Sequence, residues 1–308
     1  LKLTINRSIT IPIMKYTHKL TIVAGQIVFV STILIISAVF THFRFSFNMD
    51  FAYDFRADAA SNSLPTISAY LFQWARVCIP IFLSMHIVRK NYIRAAFLFI
   101  IQLLNFGYDG MRLTVLITFV AIAVPFIFNE KKTKTKIIFP LITLALIALM
   151  ILSLIEHLFL KSGEIDRVIT FRTFFLPNLI GSWFFDFFTK NIPEYFAASI
   201  FKFFGFVSPY AEYGIDYLIS GLYFGDYSCR GNNGLIADAM CNLGYIGILI
   251  MPFVINIWLF IVDRVSGQLN ITIKLLVAIY FAYCFTNNFF TIILITNGGI
   301  IATFIMNA

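Results

Sequence analysis

The sequence predicts an all-α fold: a polytopic transmembrane helix bundle with a long outward loop of short interfacial helices. Of the 308 residues, 60% are hydrophobic and only 12% are charged. The mean hydropathy is +0.87, which a soluble domain rarely reaches because it must present a charged surface to water. Several runs also approach the ~20 apolar residues that cross a bilayer as one helix.

Eight apolar runs are candidate spans, and the third and fourth come from one long stretch. We divide that stretch at FGYDGMR because its two glycines, Asp109 and Arg112 are poor neighbours for lipid. The candidate spans are Thr21–Phe40, Thr66–Val88, Ile93–Phe106, Leu113–Phe128, Ile137–Ile155, Leu243–Ile261, Ile271–Phe285 and Phe289–Ile305.

These runs predict one membrane domain over residues 1–308, with a large periplasmic or extracytoplasmic loop at 156–242 that carries the candidate site. Within the loop, SWFFDFF, YFAASIFKFFGF and YLISGLYFG are too aromatic for exposed helices and too short to span. We expect interfacial or re-entrant helices with their rings at headgroup level. Since the chain begins at Leu1 and ends in an apolar run, we also expect a fragment of a longer protein.

The basic residues indicate the orientation, because cytoplasmic loops are rich in Lys and Arg. One set of loops holds thirteen basic and two acidic residues, and EKKTKTK at 130–136 is its clearest marker. The opposite set, which includes the large loop, holds nine basic and twelve acidic residues when Arg76 and Asp238 are set aside. The first set is therefore expected inside and the second outside. The basic residues form no single patch, so the expected partner is the lipid bilayer and not nucleic acid.

Two arginines, Arg167 and Arg172, lie together in DRVITFRTFFLPN, just after the fifth span. Arginine binds phosphate with a planar fork of donors and never loses its charge. An outward pair beside the bilayer could hold a lipid-linked pyrophosphate. The alternative is an interfacial anchor, or an ion pair with Glu164 or Asp166.

A glycine-rich turn and a polar helix start stand together in CRGNNGLIADAMCNLGYIG at 229–247. Two glycines bracket Asn232 and Asn233, which predicts a tight turn followed by a helix. Asp238 and Asn242 are four residues apart and share a helix face. An aspartate at the mouth of a span is expected to face the protein, either to serve the site or to form a structural hydrogen bond.

Two further arginines are candidates for substrate contacts. Arg76 lies inside the second span, where a charge costs roughly 2.5–3.5 kcal/mol on insertion scales. It is expected to face a polar cavity or to pair with an acidic residue. Arg56 lies in MDFAYDFRAD at 49–58, which is expected to be an outward loop that either closes over a site or is merely solvated.

The sequence predicts no cofactor and no metal. Glu164 and Asp166 in EID resemble a metal–sugar-diphosphate motif, but so short a pattern is better explained by chance. GxxxxGK, HExxH and GxSxG motifs are absent from the sequence, which argues against ATP-driven transport and membrane metalloprotease chemistry.

Two stretches resemble the Wzy-type family of O-antigen and capsule repeat-unit polymerases. FRTFFLPNLIGSWFFDFFTKNIPEYF is similar to the family's outward loop, and YFGDYSCRGNNGLIADAMCNLGYIGILI is similar to its later motif. FNMDFAYDFRADAASNSLP and FGYDGMR stand where the family has an arginine loop and a Gly-rich break. The resemblance covers roughly residues 45–305. It departs from the family at Arg112, where lysine is expected as readily, and in the family's additional spans before the first one here.

The resemblance implies a metal-independent glycosyltransferase that joins undecaprenyl-pyrophosphate-linked repeat units on the outer face of the inner membrane. The expected partners are these lipid-linked glycans and a chain-length regulator. Arg172, Arg167 and Asp238 would be catalytic. The implied substrate-binding residues are Arg56, Arg76, Arg230, Asn232 and Asn233. The general base stays open among Asp166, Asp186, Glu212 and His157.

Two other functions compete with this one. An O-antigen ligase has the same architecture, but ligases tend to carry a histidine in the large outward loop, and none occurs between Lys161 and Asn242. A flippase or transporter of the lipid-linked unit would bury charges along a central cavity. Here nearly every charge falls in a loop, and Arg76 is the main exception.

Overall fold

The architecture comes from a computed structural model, which describes residues 18–44, 51–62, 64–128, 138–160, 171, 175–231, 233–267 and 269–307. The regular structure in these ranges is entirely helical. Four helices are long and apolar enough to cross a membrane: Leu20–Thr41, Thr66–Val88, Leu235–Val265 and Phe290–Asn307. These helices indicate a membrane protein. The first seven predicted spans each fall on one helix and the eighth is divided between two, but several of these helices are short, so eight crossings stay a prediction.

The chain divides into two compact units. Unit 1 comprises Leu1–Asn129, Ile257–Phe281 and Leu294–Ala308. Unit 2 comprises Glu130–Asn256 and Ala282–Ile293. The predicted boundaries of a single membrane domain and its large loop stay a prediction.

Unit 1 is built around one buried helix. Its first five helices are α1 (His18–Ile36, continued by a π-helical turn at Ser37–Thr41), α2 (Phe51–Ser61), α3 (Thr66–Val88), α4 (Tyr92–Asp109) and α5 (Arg112–Ile127). Helix α3 packs against α1, α4 and α5. The side chains of Phe72 and Phe82 on α3 are almost fully buried. Burial of this apolar surface is the main term that stabilises the unit.

The predicted division at FGYDGMR is confirmed. Helix α4 ends at Asp109, and Gly110 follows it in the left-handed region with φ 62°, a conformation that glycine adopts without a Cβ clash. Gly107 is required for a different reason, because a Cβ there would collide with the backbone carbonyl of Arg44.

The prediction of a loop at 49–58 is wrong, because the chain there enters α2 at Phe51. Phe55 on this helix is buried against Phe106 of α4 in an edge-to-face contact at 6.2 Å. The guanidinium of Arg44 lies 4.2 Å from the centre of the Phe55 ring. The helix therefore forms because it can bury one face. The charged residues of the segment gave no indication of this face in the sequence.

Unit 2 holds the large loop. It contains α6 (Ile138–Ile155, followed by a π-helical turn at Glu156–Leu160), α7 (Leu176–Lys190), a 3₁₀ turn at Phe201–Phe204, α8 (Ile215–Phe224) and most of α9 (Leu235–Val265). Helices α7 and α8 confirm two of the three short helices predicted for the loop. The third, YFAASIFKFFGF, is wrong: residues 195–200 form turns and only the 3₁₀ turn follows. A core around Phe184, Ile219 and Met240 joins α7, α8 and α9.

The chain ends in three helices, α10 (Ile271–Asn287), α11 (Phe290–Leu294) and α12 (Gly299–Asn307). The predicted span Phe289–Ile305 is thus broken between α11 and α12. The carbonyls freed by the break are satisfied within unit 1, since Trp74 Nε1 donates to Ile295 O at 2.6 Å and Tyr280 Oη donates to Asn297 O at 3.0 Å. Such bonds allow a helix to break at membrane depth.

Candidate functional site

A break in α9 shapes the candidate site. Gly244 has φ 61° and ψ −147° and interrupts the helix. The break frees the carbonyls of Cys241 and Asn242, and the large loop satisfies both. The backbone N–H of Glu194 donates to Cys241 O at 2.8 Å, and that of Tyr195 donates to Asn242 O at 3.1 Å. The segment 194–196 therefore docks on the break, as orphan carbonyls require.

This docking explains why YFAASIFKFFGF is not a helix. The backbone N–H of Phe196 also donates to the side-chain oxygen of Asn242 at 2.9 Å. Tyr195 and Phe196 adopt positive φ values of 53° and 59° to reach these acceptors. The long-range bonds thus outweigh the local preference for helix.

Asp238 is fully buried at the start of α9, with 0% exposure. One carboxylate oxygen accepts from Phe290 N at 2.7 Å, and the other accepts from Asn242 Nδ2 at 2.7 Å. The prediction that Asp238 faces the protein and shares a helix face with Asn242 is confirmed. Its carboxylate ties α9 to the first residue of α11.

Glu194 is a buried carboxylate that sequence reasoning missed. Its side chain is 4% exposed. Ser208 Oγ donates to Glu194 Oε1 at 2.7 Å, and Cys241 Sγ donates to Oε2 at 3.7 Å. Both oxygens thus have hydrogen-bond donors, so Glu194 joins the loop to α9 from the opposite side of the break.

Asp216, in the first turn of α8, is the second residue that sequence reasoning missed. Its Oδ1 is buried and has no hydrogen-bond donor among the described residues. Burial raises its pKa to about 6, with a smaller increase from Glu194 and a partial decrease from Arg230. A carboxyl with a pKa near neutrality can both accept and return a proton. The available signal was an acidic residue directly before the apolar stretch YLISGLYFG.

Arg230 lies on the turn that precedes α9. It is exposed, its Nε donates to Tyr217 Oη at 2.8 Å, and its guanidinium lies 5.2 Å from the centre of the Tyr217 ring. The next residue, Gly231, donates its N–H to Asp216 O at 3.0 Å. Asn233 is 2% exposed, and its Nδ2 has no acceptor in the described part of the chain. Three predicted residues, Arg230, Asn233 and Asp238, are thus brought into one region with Asp216.

Three residues considered as general bases have other surroundings. Asp186 is exposed, and it accepts from Lys190 Nζ at 2.7 Å and from Tyr223 Oη at 2.6 Å. These hydrogen bonds lower its pKa, so it is a weak proton acceptor near neutral pH. His157 and Glu212 are exposed. Compared with these residues, Asp216 is the better candidate.

The other two predicted arginines belong to unit 1. Arg76 is 3% exposed, and it donates to Asp109 Oδ2 at 2.5 Å and to Gln73 Oε1 at 2.7 Å. The ion pair with an acidic residue, which was one of the two alternatives for Arg76, is therefore present. Arg56 is exposed and donates to Gly110 O at 3.4 Å. Roles for Arg76 and Arg56 in substrate binding stay predictions.

Several predicted site residues lie outside the described residues. They are Arg167, Arg172, Asn232, Glu164 and Asp166. Their proposed roles stay predictions.

Comparison with protein-family models, curated proteins and solved structures found no match to this chain. The chemistry of the site therefore has to be argued from its own residues. Unit 2 offers an arginine on a turn, a buried carboxyl able to exchange a proton, and an amide with an unused donor.

Proposed function

We propose that the chain polymerises undecaprenyl-pyrophosphate-linked oligosaccharide repeat units on the outer face of the inner membrane. The product would be O-antigen, capsule or exopolysaccharide. The observation that carries the proposal is the half-buried Asp216 carboxyl, whose Oδ1 is buried and whose pKa responds to the charge of Arg230. Arg230 lies on the turn before the broken helix α9. The resemblance of the loop and of the later motif to repeat-unit polymerases supports it.

The proposed reaction forms one glycosidic bond and breaks one phosphate ester. An acceptor hydroxyl oxygen attacks the anomeric carbon of the donor sugar, and its proton passes to Asp216. The bond from that carbon to the pyrophosphate oxygen breaks, and the electron pair leaves with undecaprenyl pyrophosphate. Arg230, with Arg167 and Arg172, stabilises the charge that develops on the leaving group. In this proposal the arginines supply the positive charge that a metal ion supplies in other phosphate chemistry.

The neighbouring residues have supporting roles in this proposal. The unused Nδ2 donor of Asn233 binds a sugar hydroxyl. Asp238 holds the start of α9 against Phe290, and its catalytic role stays a prediction. Asn232 adjoins Asn233 on the same turn and is proposed as a second sugar contact. A chain-length regulator is proposed as a protein partner.

A deletion strain tests the function in cells. Without the chain, cell-surface glycan is expected to shift from a polymer ladder to a single repeat unit on gels. Loss of a ligase would instead leave polymer on its lipid carrier, and loss of a flippase would leave the lipid-linked unit facing the cytoplasm. An intact polymer ladder in the deletion strain would contradict the proposal.

Complementation with variants tests the arginines. Arg230→Ala and Arg172→Ala are expected to abolish the ladder, and the corresponding Lys variants to restore it poorly because lysine lacks the planar fork. Lys202→Ala is the matched control, since it removes an exposed cation from the same loop. Normal ladders from both Ala variants would show that these arginines are only anchors.

A further inference from the structure

Unit 1 contains a cavity with a mixed polar and apolar lining that the proposed reaction does not use. Its volume is about 310 Å³, at the lower end of the ~300–1,000 Å³ typical of small-molecule sites. The end of α2, the start of α3 and the end of α4 form its walls. Asn62, Gln73, Tyr108 and Asp109 contribute its polar groups, and Ala59, Ala69 and Phe72 contribute apolar surface.

The cavity presents hydrogen-bonding groups that are not committed elsewhere. The Asn62 amide, the Gln73 Nε2 and the Tyr108 hydroxyl have no hydrogen-bond partner among the described residues. Amides and phenols both donate and accept hydrogen bonds. Sugar hydroxyl groups do the same, so the two sets are complementary. The apolar part of the lining suits the C–H surface of a pyranose ring.

The charges around the cavity favour a neutral ligand. Among the described residues, neither lysine nor arginine lines it, and Asp109 is the one carboxylic acid in the lining. The charge of Asp109 is balanced by its ion pair with Arg76 at 2.5 Å. Among the described lining residues a phosphate would therefore meet a carboxylate and no cation, whereas an uncharged polyol would meet no opposing charge.

The walls are held in place before any ligand arrives. Gln73 Oε1 accepts from Arg76 at 2.7 Å, which orients the amide and leaves its Nε2 available. Asp109 Oδ1 accepts from Met111 N at 3.0 Å. Arg44 donates to Tyr108 O at 3.1 Å and to Gly107 O at 2.7 Å, which fixes the end of α4. Such preorganisation lowers the entropic cost of binding.

We propose that this cavity binds one neutral sugar unit of a glycan, through hydrogen bonds from Asn62, Gln73 and Tyr108 to its hydroxyl groups. The inference stands on the chemistry of the cavity and goes beyond the proposed polymerisation. A protein that binds sugars here but makes no polymer would refute the proposed function and leave this inference intact.

Saturation-transfer NMR tests the binding directly. The full chain is placed in phosphatidylcholine nanodiscs, because alkyl-glycoside detergents would compete for the cavity. The probes are the methyl pyranosides of glucose, galactose and N-acetylglucosamine, with glucose 1-phosphate as the anionic counterpart. At least one neutral glycoside is expected to show transfer, and glucose 1-phosphate is expected to bind more weakly than methyl glucoside.

Two variants and one control locate the site. Asn62→Ala is expected to weaken glycoside binding about fivefold, the effect of one lost hydrogen bond. Ala59→Phe fills the cavity and is expected to abolish transfer. Ser61→Ala changes an exposed residue on the same helix outside the cavity, and binding should be unchanged. The proposal is overturned if no neutral glycoside binds, if Ala59→Phe binds normally, or if glucose 1-phosphate binds more tightly.

Discussion

At the scale of single residues, Asp216 and Asp238 have different roles because their surroundings differ. Each carboxylate oxygen of Asp238 accepts a hydrogen bond, and one of these bonds joins α9 to α11. Asp216 keeps one buried oxygen without a donor among the described residues. The sequence predicted that Asp238 would be buried, because it opens an apolar helix four residues before Asn242. It did not single out Asp216, since the contacts of that residue come from segments distant in sequence, such as the hydrogen bond from Gly231 N to Asp216 O.

The raised pKa of Asp216 predicts a pH-dependent stability. Its folded value of about 6 exceeds the ordinary 3.8, so the native state binds this proton more tightly than the unfolded state does. The protonated carboxyl therefore contributes to stability fully below about pH 4, and this contribution is lost as the pH rises through 6. At 1.36 kcal/mol per pKa unit, the loss amounts to roughly 3 kcal/mol of unfolding free energy. Asp216→Asn should therefore raise the melting temperature above pH 6 and flatten the profile between pH 4 and 6.

Thermal unfolding of the purified protein across pH 4–8 measures this effect. Asp226→Asn is the control, because the hydrogen bonds that Ser228 donates to Asp226 lower its pKa to about 2. That variant should give no gain in stability at neutral pH. Identical profiles for the wild type and Asp216→Asn would contradict the burial of an ionisable Asp216.

Substitutions at Asp238 separate hydrogen bonding from charge. Asp238→Leu removes the carboxylate that accepts from the Phe290 N–H, while the Asn242 amide keeps the backbone carbonyl of residue 238 as its acceptor at 3.1 Å. Loss of the buried acceptor of Phe290 N–H is expected to cost about 1–3 kcal/mol. Asp238→Asn keeps one carbonyl acceptor and should destabilise less. Melting temperatures in nanodiscs should rank the wild type above Asn and Asn above Leu. A Leu variant as stable as the wild type would remove Asp238 from its structural role.

At the scale of elements, the break at Gly244 decides how the large loop meets α9. The pattern of apolar residues predicted where α9 begins, because a glycine turn precedes it. It did not predict the break or the turn at 194–196, since both depend on hydrogen bonds between segments almost 50 residues apart, such as Glu194 N to Cys241 O. Helix α2 was missed for a similar reason, because its apolar face becomes evident only against α4.

Gly244→Ala tests the break. The backbone there, with φ 61° and ψ −147°, belongs to a region that is strained for any residue with a Cβ, at about 1–3 kcal/mol. The variant should melt at a lower temperature and lose amide protection at residues 194–196 in hydrogen exchange. Gly181→Ala in α7 is the matched control, since a Cβ there meets nothing within 4 Å, and it should be neutral or stabilising. Equal changes in melting temperature and amide protection for both variants would argue against the break at Gly244.

At the scale of the whole molecule, composition alone predicted the helical class and the presence of membrane-spanning helices. Hydropathy also located a helix at each of the first seven predicted spans, because the length of an apolar run is a local property of the sequence. It missed the break within Phe289–Ile305. The positive-inside pattern concerns the membrane, and its test requires a membrane around the protein. It predicts that the large loop faces outward.

Cys229 provides a native probe of that orientation. It is exposed in the large loop, whereas Cys78, Cys241 and Cys284 are buried. An impermeant maleimide should label the wild type in intact spheroplasts, and Cys229→Ser should abolish the labelling. The hydrogen bond to Asp226 raises the thiol pKa, so the reaction is best run near pH 8. If labelling occurs only after lysis, the large loop faces the cytoplasm and the predicted orientation is wrong.

The central claim is that this chain itself joins lipid-linked repeat units with Arg230 and Asp216. Its most direct measurement is polymerisation in vitro, with purified chain in nanodiscs and the lipid-linked unit extracted from the deletion strain. The wild type should convert the unit into a ladder and release one undecaprenyl pyrophosphate for each bond formed. Asp216→Asn and Arg230→Ala should each release far less while remaining folded. Absence of ladder and release with the wild type, or a normal rate in a folded double variant, would contradict the claim.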